Sequence, residues 1–84
     1  MEVTIVIPTG EIFAGPAEGV VAPGSGGEFG ILPGHTPFLS TLQAGTVVVR
    51  QGRDEQRFPI TGGFAEVRGD RVVILADGVA ETAD

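Results

Sequence analysis

Apolar residues in this chain come in short runs rather than at helical spacing. Val3-Thr4-Ile5-Val6-Ile7, Thr46-Val47-Val48-Val49 and Arg71-Val72-Val73-Ile74-Leu75 are rich in β-branched side chains, which favour a pleated, half-buried backbone. Turn signals separate the runs: Thr9-Gly10, Gly15-Pro16, Pro23 to Gly27, Pro33-Gly34, Gly45, Gly52 to Asp54, Gly62-Gly63, Gly69-Asp70 and Asp77-Gly78. No 3.6-residue periodicity is sustained long enough for a helix. Turns recurring at about 8–12 residues or less predict an all-β domain, a sandwich or barrel.

Two hairpins are specified locally. In Val67-Arg68-Gly69-Asp70-Arg71-Val72, Gly69 suits the positive-φ first position of a two-residue turn, so strands 63–68 and 71–76 are expected to pair antiparallel. A second hairpin around Gln51-Gly52-Arg53-Asp54 joins residues 46–50 to the strand of Arg57, Phe58 and Ile60. Pro59 has no amide proton to donate, which predicts an edge or a bulge there.

Val47-Val48-Val49 and Val72 to Ala76 are apolar at successive positions, so both faces of these strands are expected to be covered. With 84 residues the chain forms one domain, and a single small core cannot cover every such face. Outward apolar surface should therefore remain for another molecule, which points to an obligate partner. The chain has no cysteine, so packing alone must hold it, and no apolar run approaches the roughly 20 residues that span a bilayer. The net charge is −6, with five arginines scattered among acidic residues and no lysine, which argues against nucleic acid as a partner.

Catalytic groups are scarce. There is one histidine and no cysteine, lysine or tyrosine, leaving carboxylates, a few hydroxyls and His35. Ser40 lies near His35 in sequence, but no nucleophile-elbow motif surrounds it. One imidazole is too few for a metal site, and no cofactor is expected. The segment Gly24 to Leu39, GSGGEFGILPGHTPFL, is the least generic part of the chain. Its glycines and prolines predict one rigid loop presenting Glu28 and His35 at fixed positions. A phosphate-binding reading of that loop fails because Glu28 follows Gly27 where a P-loop has lysine. A sandwich module for carbohydrate or peptide is the alternative reading, although no Trp or Tyr is present to line a sugar site and a small core would claim the five phenylalanines. A small hydrolase is a third.

Gly24, Gly27, Glu28, Gly30, Ile31, Pro33, Gly34, His35, Pro37 and Leu39 match the pattern G-x-x-G-E-x-G-I-x-P-G-H-x-P-x-L. Val20-Val21-Ala22-Pro23, Gly62-Gly63-Phe64-Ala65-Glu66-Val67 and Val73-Ile74-Leu75-Ala76-Asp77 extend the likeness over essentially the whole chain. The sequence thus resembles the epsilon subunit of the F-type ATP synthase, called delta in mitochondria. The resemblance implies an antiparallel β-sandwich of about ten short strands in two sheets. It also implies a non-catalytic rotor subunit that links gamma to the membrane c-ring within the complex with alpha and beta, on the cytoplasmic face of the bacterial inner membrane. By the same resemblance Glu28, Phe29, Gly30, Ile31, His35 and Thr36 meet the ring, Gly24, Gly27, Pro33, Gly34 and Pro37 shape the loop, and Ser40 lies near gamma. Residues 1–77 are expected to form the sandwich, and 78–84 a short tail where longer family members begin a helical hairpin.

Overall fold

A computed structural model describes residues 1–34 and 36–80, and among them there are nine strands and no helix. They are β1 (Glu2–Ile7), β2 (Gly10–Pro16), β3 (Gly19–Gly24), β4 (Gly27–Ile31), β5 (Phe38–Leu42), β6 (Gly45–Gln51), β7 (Asp54–Ile60), β8 (Gly63–Arg68) and β9 (Arg71–Ala76). Hydrogen bonding runs in the order β2-β1-β9-β8-β5-β3-β6-β7, with β4 on the remaining side of β3. β3 and β5 meet at a single residue pair, Gly24 with Leu42, so the sheet bends there into a five-stranded and a four-stranded half. The expected sandwich is therefore one sheet folded on itself.

Both hairpins form as the sequence predicts. Gly69 (φ 59°) turns β8 into β9 with Arg68 opposite Arg71, and Gly52 (φ 64°) turns β6 into β7 with Gln51 opposite Asp54. β7 is an edge strand, as Pro59 requires. The two-residue turn at Gly52-Arg53 directs the amides of Asp54, Gln56 and Phe58 toward β6, so Pro59 lacks its proton only on the outer edge. There its carbonyl accepts the Ala80 amide at 2.9 Å. The Thr61 amide donates to the Gly78 carbonyl at 3.1 Å, and Ile60 bridges Val79. Residues 78–80 thus lie against the end of β7 through one isolated bridge and its flanking hydrogen bonds, while 81–84 lie outside the described residues.

The halves close over Val3, Ile5, Val20, Ile31, Val47, Val49, Ile60 and Ile74, none more than 2% exposed. At the two seams phenylalanines pack across: Phe13 of β2 with Phe58 of β7 (5.5 Å between centroids) and Phe29 of β4 with Phe38 of β5 (5.2 Å). The fifth, Phe64, escapes the core that was expected to claim all five and stands 48% exposed on the outside. Where β8 leaves the other half, Gly63 has φ 143°, and a Cβ there would lie 2.0 Å from the Leu75 carbonyl oxygen. Only glycine lets β8 and β9 approach so closely at that corner.

Candidate functional site: an outward apolar face and the β4 edge

The register fixes which side chains share the outer face of the five-stranded half. Thr41, Phe64, Leu75, Val6 and Glu11 form one row across β5, β8, β9, β1 and β2. Leu39, Glu66, Val73, Thr4 and Ala14 form the next. Leu39 (68%), Leu75 (52%) and Phe64 (48%) are the exposed large apolar side chains here, and half-buried Val6 and Val73 connect them. The outward apolar surface expected from Val72 to Ala76 is therefore real and contiguous, not a scatter of single residues. On β6 the alternation is cleaner: Val47 and Val49 are fully buried and Val48 half-buried.

Sequence reasoning did not single out Leu39, Phe64 and Leu75 as surface residues. A period-2 signal was present: in Gly63-Phe64-Ala65-Glu66-Val67-Arg68, Phe64 shares parity with Glu66 and Arg68, so it must point outward with them. Ser40, implied as a gamma neighbour, points to the other side of β5 from Leu39 and Thr41. It is half-buried, with its hydroxyl donating to the Thr41 carbonyl at 3.0 Å.

The segment Gly24 to Leu39 is not one loop. Residues 27–31 form β4, paired with β3 from Gly24–Gly27 to Val20–Ile31, because the turn Ser25-Gly26 reverses the chain in two residues. At about 3.3 Å per residue, Glu28 lies roughly 10 Å from Ile31, and the Pro33-Gly34 turn comes after that. The 27–28 end and the Pro33-Gly34 turn therefore sit at opposite ends of β4. Glu28 and Gly30 face outward and are exposed, as are Leu32 (58%), Pro33, Gly34, Thr36 and Pro37. Phe29 faces inward against Phe38, and Ile31 is 0% exposed. The Ile31 side chain is thus part of the core and not of the outward side of β4, and Phe29 supports the strand from within. Gly24 is buried, and a Cβ there would come within 2.6 Å of the Gly27 carbonyl oxygen; Gly27 and Gly34 take φ 135° and 84°. The close approach at Gly24 and the positive φ at Gly27 and Gly34 each favour glycine. His35 lies outside the described residues.

Among the described residues no polar side chain is buried and no group of three metal-ligating side chains converges. The hollows are shallow, and the chemistry on offer is surface recognition: an apolar face, a carboxylate on an edge strand and a ring of polar turns. Residues 1–82 match the family described as ATP synthase, Delta/Epsilon chain, beta-sandwich domain. The chain belongs to this ATP synthase delta/epsilon family.

Among relatives in the family, the ATP synthase epsilon chain of Helicobacter pylori (strain P12) is 42% identical over 78 residues, 93% of this chain. The chain spans 63% of that relative's length. The epsilon chain of Caulobacter vibrioides is 42% identical over 80 residues, covering 95% of this chain and 93% of the relative. Among solved structures, a chain of the Euglena gracilis mitochondrial ATP synthase (OSCP/F1/c-ring) superposes with TM-score 0.86 at 26% identity, over 93% of this chain and 51% of that one. A chain of the Tetrahymena thermophila mitochondrial ATP synthase central stalk and c-ring shares the fold, with TM-score 0.78 at 22% identity over 96% of this chain and 66% of that one.

Proposed function

We propose that this delta/epsilon-family domain acts as a non-catalytic rotor subunit of a proton-translocating F-type ATP synthase, coupling gamma to the c-ring. The observation that carries the reading is the contiguous apolar row Phe64–Leu75–Val6 with Leu39 beside it, on the outside of a domain whose core is already complete. Such a face is costly to leave in water and is stabilised when a rigid partner covers it. Gamma is assigned to this face. The ring is assigned to the outward side of β4 and the stretch after it, with Glu28, Gly30 and Thr36 as the contacting residues and His35 implied by the family pattern. Glu28 offers a carboxylate to cationic or amide groups. A coupling element of this kind transmits torque by being stiff and attached at two places, and it needs no reactive side chain. The complex is membrane-associated, and this subunit reaches the membrane only through it, on the cytoplasmic face of the bacterial inner membrane.

The test is affinity purification of the tagged chain from solubilised membranes of its source, beside Phe64→Asp and Leu75→Glu. Recovery of gamma and c subunits with the parent, and loss of gamma with both variants at unchanged thermal stability, is the expected result. A parent chain recovered alone would overturn the assignment and favour a free-standing binding module.

A further inference from the structure

The apolar face carries an unusual charge arrangement at one end. The β8–β9 register places Arg68 directly opposite Arg71, two of only five cationic side chains in a chain of net charge −6. Like charges directly across a sheet destabilise it. Two of the nearby carboxylates already have cationic partners. Arg68 reaches back along its own strand to Glu66 at 3.3 Å, and Asp70 lies 3.7 Å from the Met1 ammonium. Arg71 is flanked on its other side by Glu2 of β1, yet among the described residues it makes no ion pair within 4.0 Å. Arg71, Val73 and Leu75 then run outward along one strand near the middle of the face: a free cation, a half-buried valine and an exposed leucine. Glu66, Arg68, Arg71 and Val73 line a shallow hollow at that spot.

We propose that Arg71, supported by Arg68, is the electrostatic anchor of this face, and that the gamma surface covering Phe64 and Leu75 places an Asp or Glu carboxylate in the hollow. The inference rests on the reading of the face as the gamma-docking surface. An arginine fork binds a carboxylate through two parallel hydrogen bonds, and the pairing strengthens as the apolar contacts beside it exclude water. The anchor adds what an apolar row lacks. Apolar contact is non-directional, so a partner could slide along the row, whereas a charge pair at one end fixes register and orientation. It also gives an acidic subunit a defined place to accept an acidic group that the rest of its surface repels.

The experiment measures binding of purified gamma to the full chain between low and high NaCl, for the parent, Arg71→Gln, Arg71→Glu and Phe64→Asp, with thermal melts as the folding control. Expected are a loss of about tenfold in affinity for Arg71→Gln and about a hundredfold for Arg71→Glu at low salt, with the parent's weakening on added salt flattened in Arg71→Gln and reversed in Arg71→Glu. Parent-like binding and salt dependence in Arg71→Glu, with Phe64→Asp defective, would overturn the anchor and leave the docking face standing. Tighter binding by Arg71→Glu would also overturn it, since the hollow would then receive a cation against Glu66. Failure of the parent to bind gamma, or undiminished binding by Phe64→Asp, would overturn the docking face itself.

Discussion

Gly63 and Gly30 are both strand glycines, and replacing each with alanine should have opposite consequences. At Gly63 the added Cβ meets the Leu75 carbonyl oxygen at 2.0 Å and the Ala76 Cα at 2.9 Å, and the backbone is held at φ 143°. The blocking atoms are main chain, so relief requires β8 and β9 to separate by an ångström or more, at a residue paired with both Leu42 and Ala76. Strain of about 1–3 kcal/mol from the backbone conformation, with one or two ladder hydrogen bonds lost at about 1 kcal/mol each, gives a cost of about 2–5 kcal/mol. At 0.05–0.15 kcal/mol per residue, 84 residues supply about 4–13 kcal/mol in total, so Gly63→Ala removes a large share or unfolds the domain. At Gly30 nothing lies within 4 Å of the added atom and φ is not in the positive region, so alanine should be neutral or stabilise by about 0.4–1 kcal/mol through the unfolded chain. Urea unfolding followed by circular dichroism reads both. A Gly63→Ala protein within about 1 kcal/mol of the parent would refute the corner geometry, and a Gly30→Ala protein that loses more than about 2 kcal/mol would refute the open, outward placement of Gly30 on β4.

Ile31→Ala should cost about 2–5 kcal/mol as a core truncation, read by the same urea titration, and Ile31→Val about 0.5–1.5 kcal/mol. Glu28→Arg, at an exposed outward position, should leave the melting temperature within a few degrees of the parent while weakening recovery of the c-ring from solubilised membranes; undiminished recovery would remove Glu28 from the ring surface. Pro59→Ala should change stability by less than about 1 kcal/mol, because the proline nitrogen faces away from β6, on the side where residues 78–80 lie; a loss above about 2 kcal/mol would mean that it faces β6.

How far the sequence could be read depended on whether the deciding interaction was local. The hairpins at Gly52 and Gly69 were legible because two residues set the turn and the turn sets the register of the strands behind it. Pro59 was legible for the same reason, since a missing amide proton restricts where a strand can lie. β4 was not: five residues with two glycines read as loop, and they become strand only because β3 supplies partners along their full length. At the site, the sequence marked Glu28 and the shaping glycines, yet it could not separate Phe29 and Ile31, which point inward, from Glu28 and Gly30, which do not.

Composition, turn chemistry and the motif from Gly24 to Leu39 determined the all-β class, the family and the presence of apolar surface beyond the needs of one core. The tertiary structure alone decided where that surface gathers. Leu39, Phe64, Leu75 and Val6 are far apart in the chain and belong to four strands, and they meet because the register of β5, β8, β9 and β1 brings residues of the same parity side by side. Parity along a strand is a local property that each segment carries by itself, whereas the alignment of one strand against the next is set by long-range pairing and by which face the common core buries.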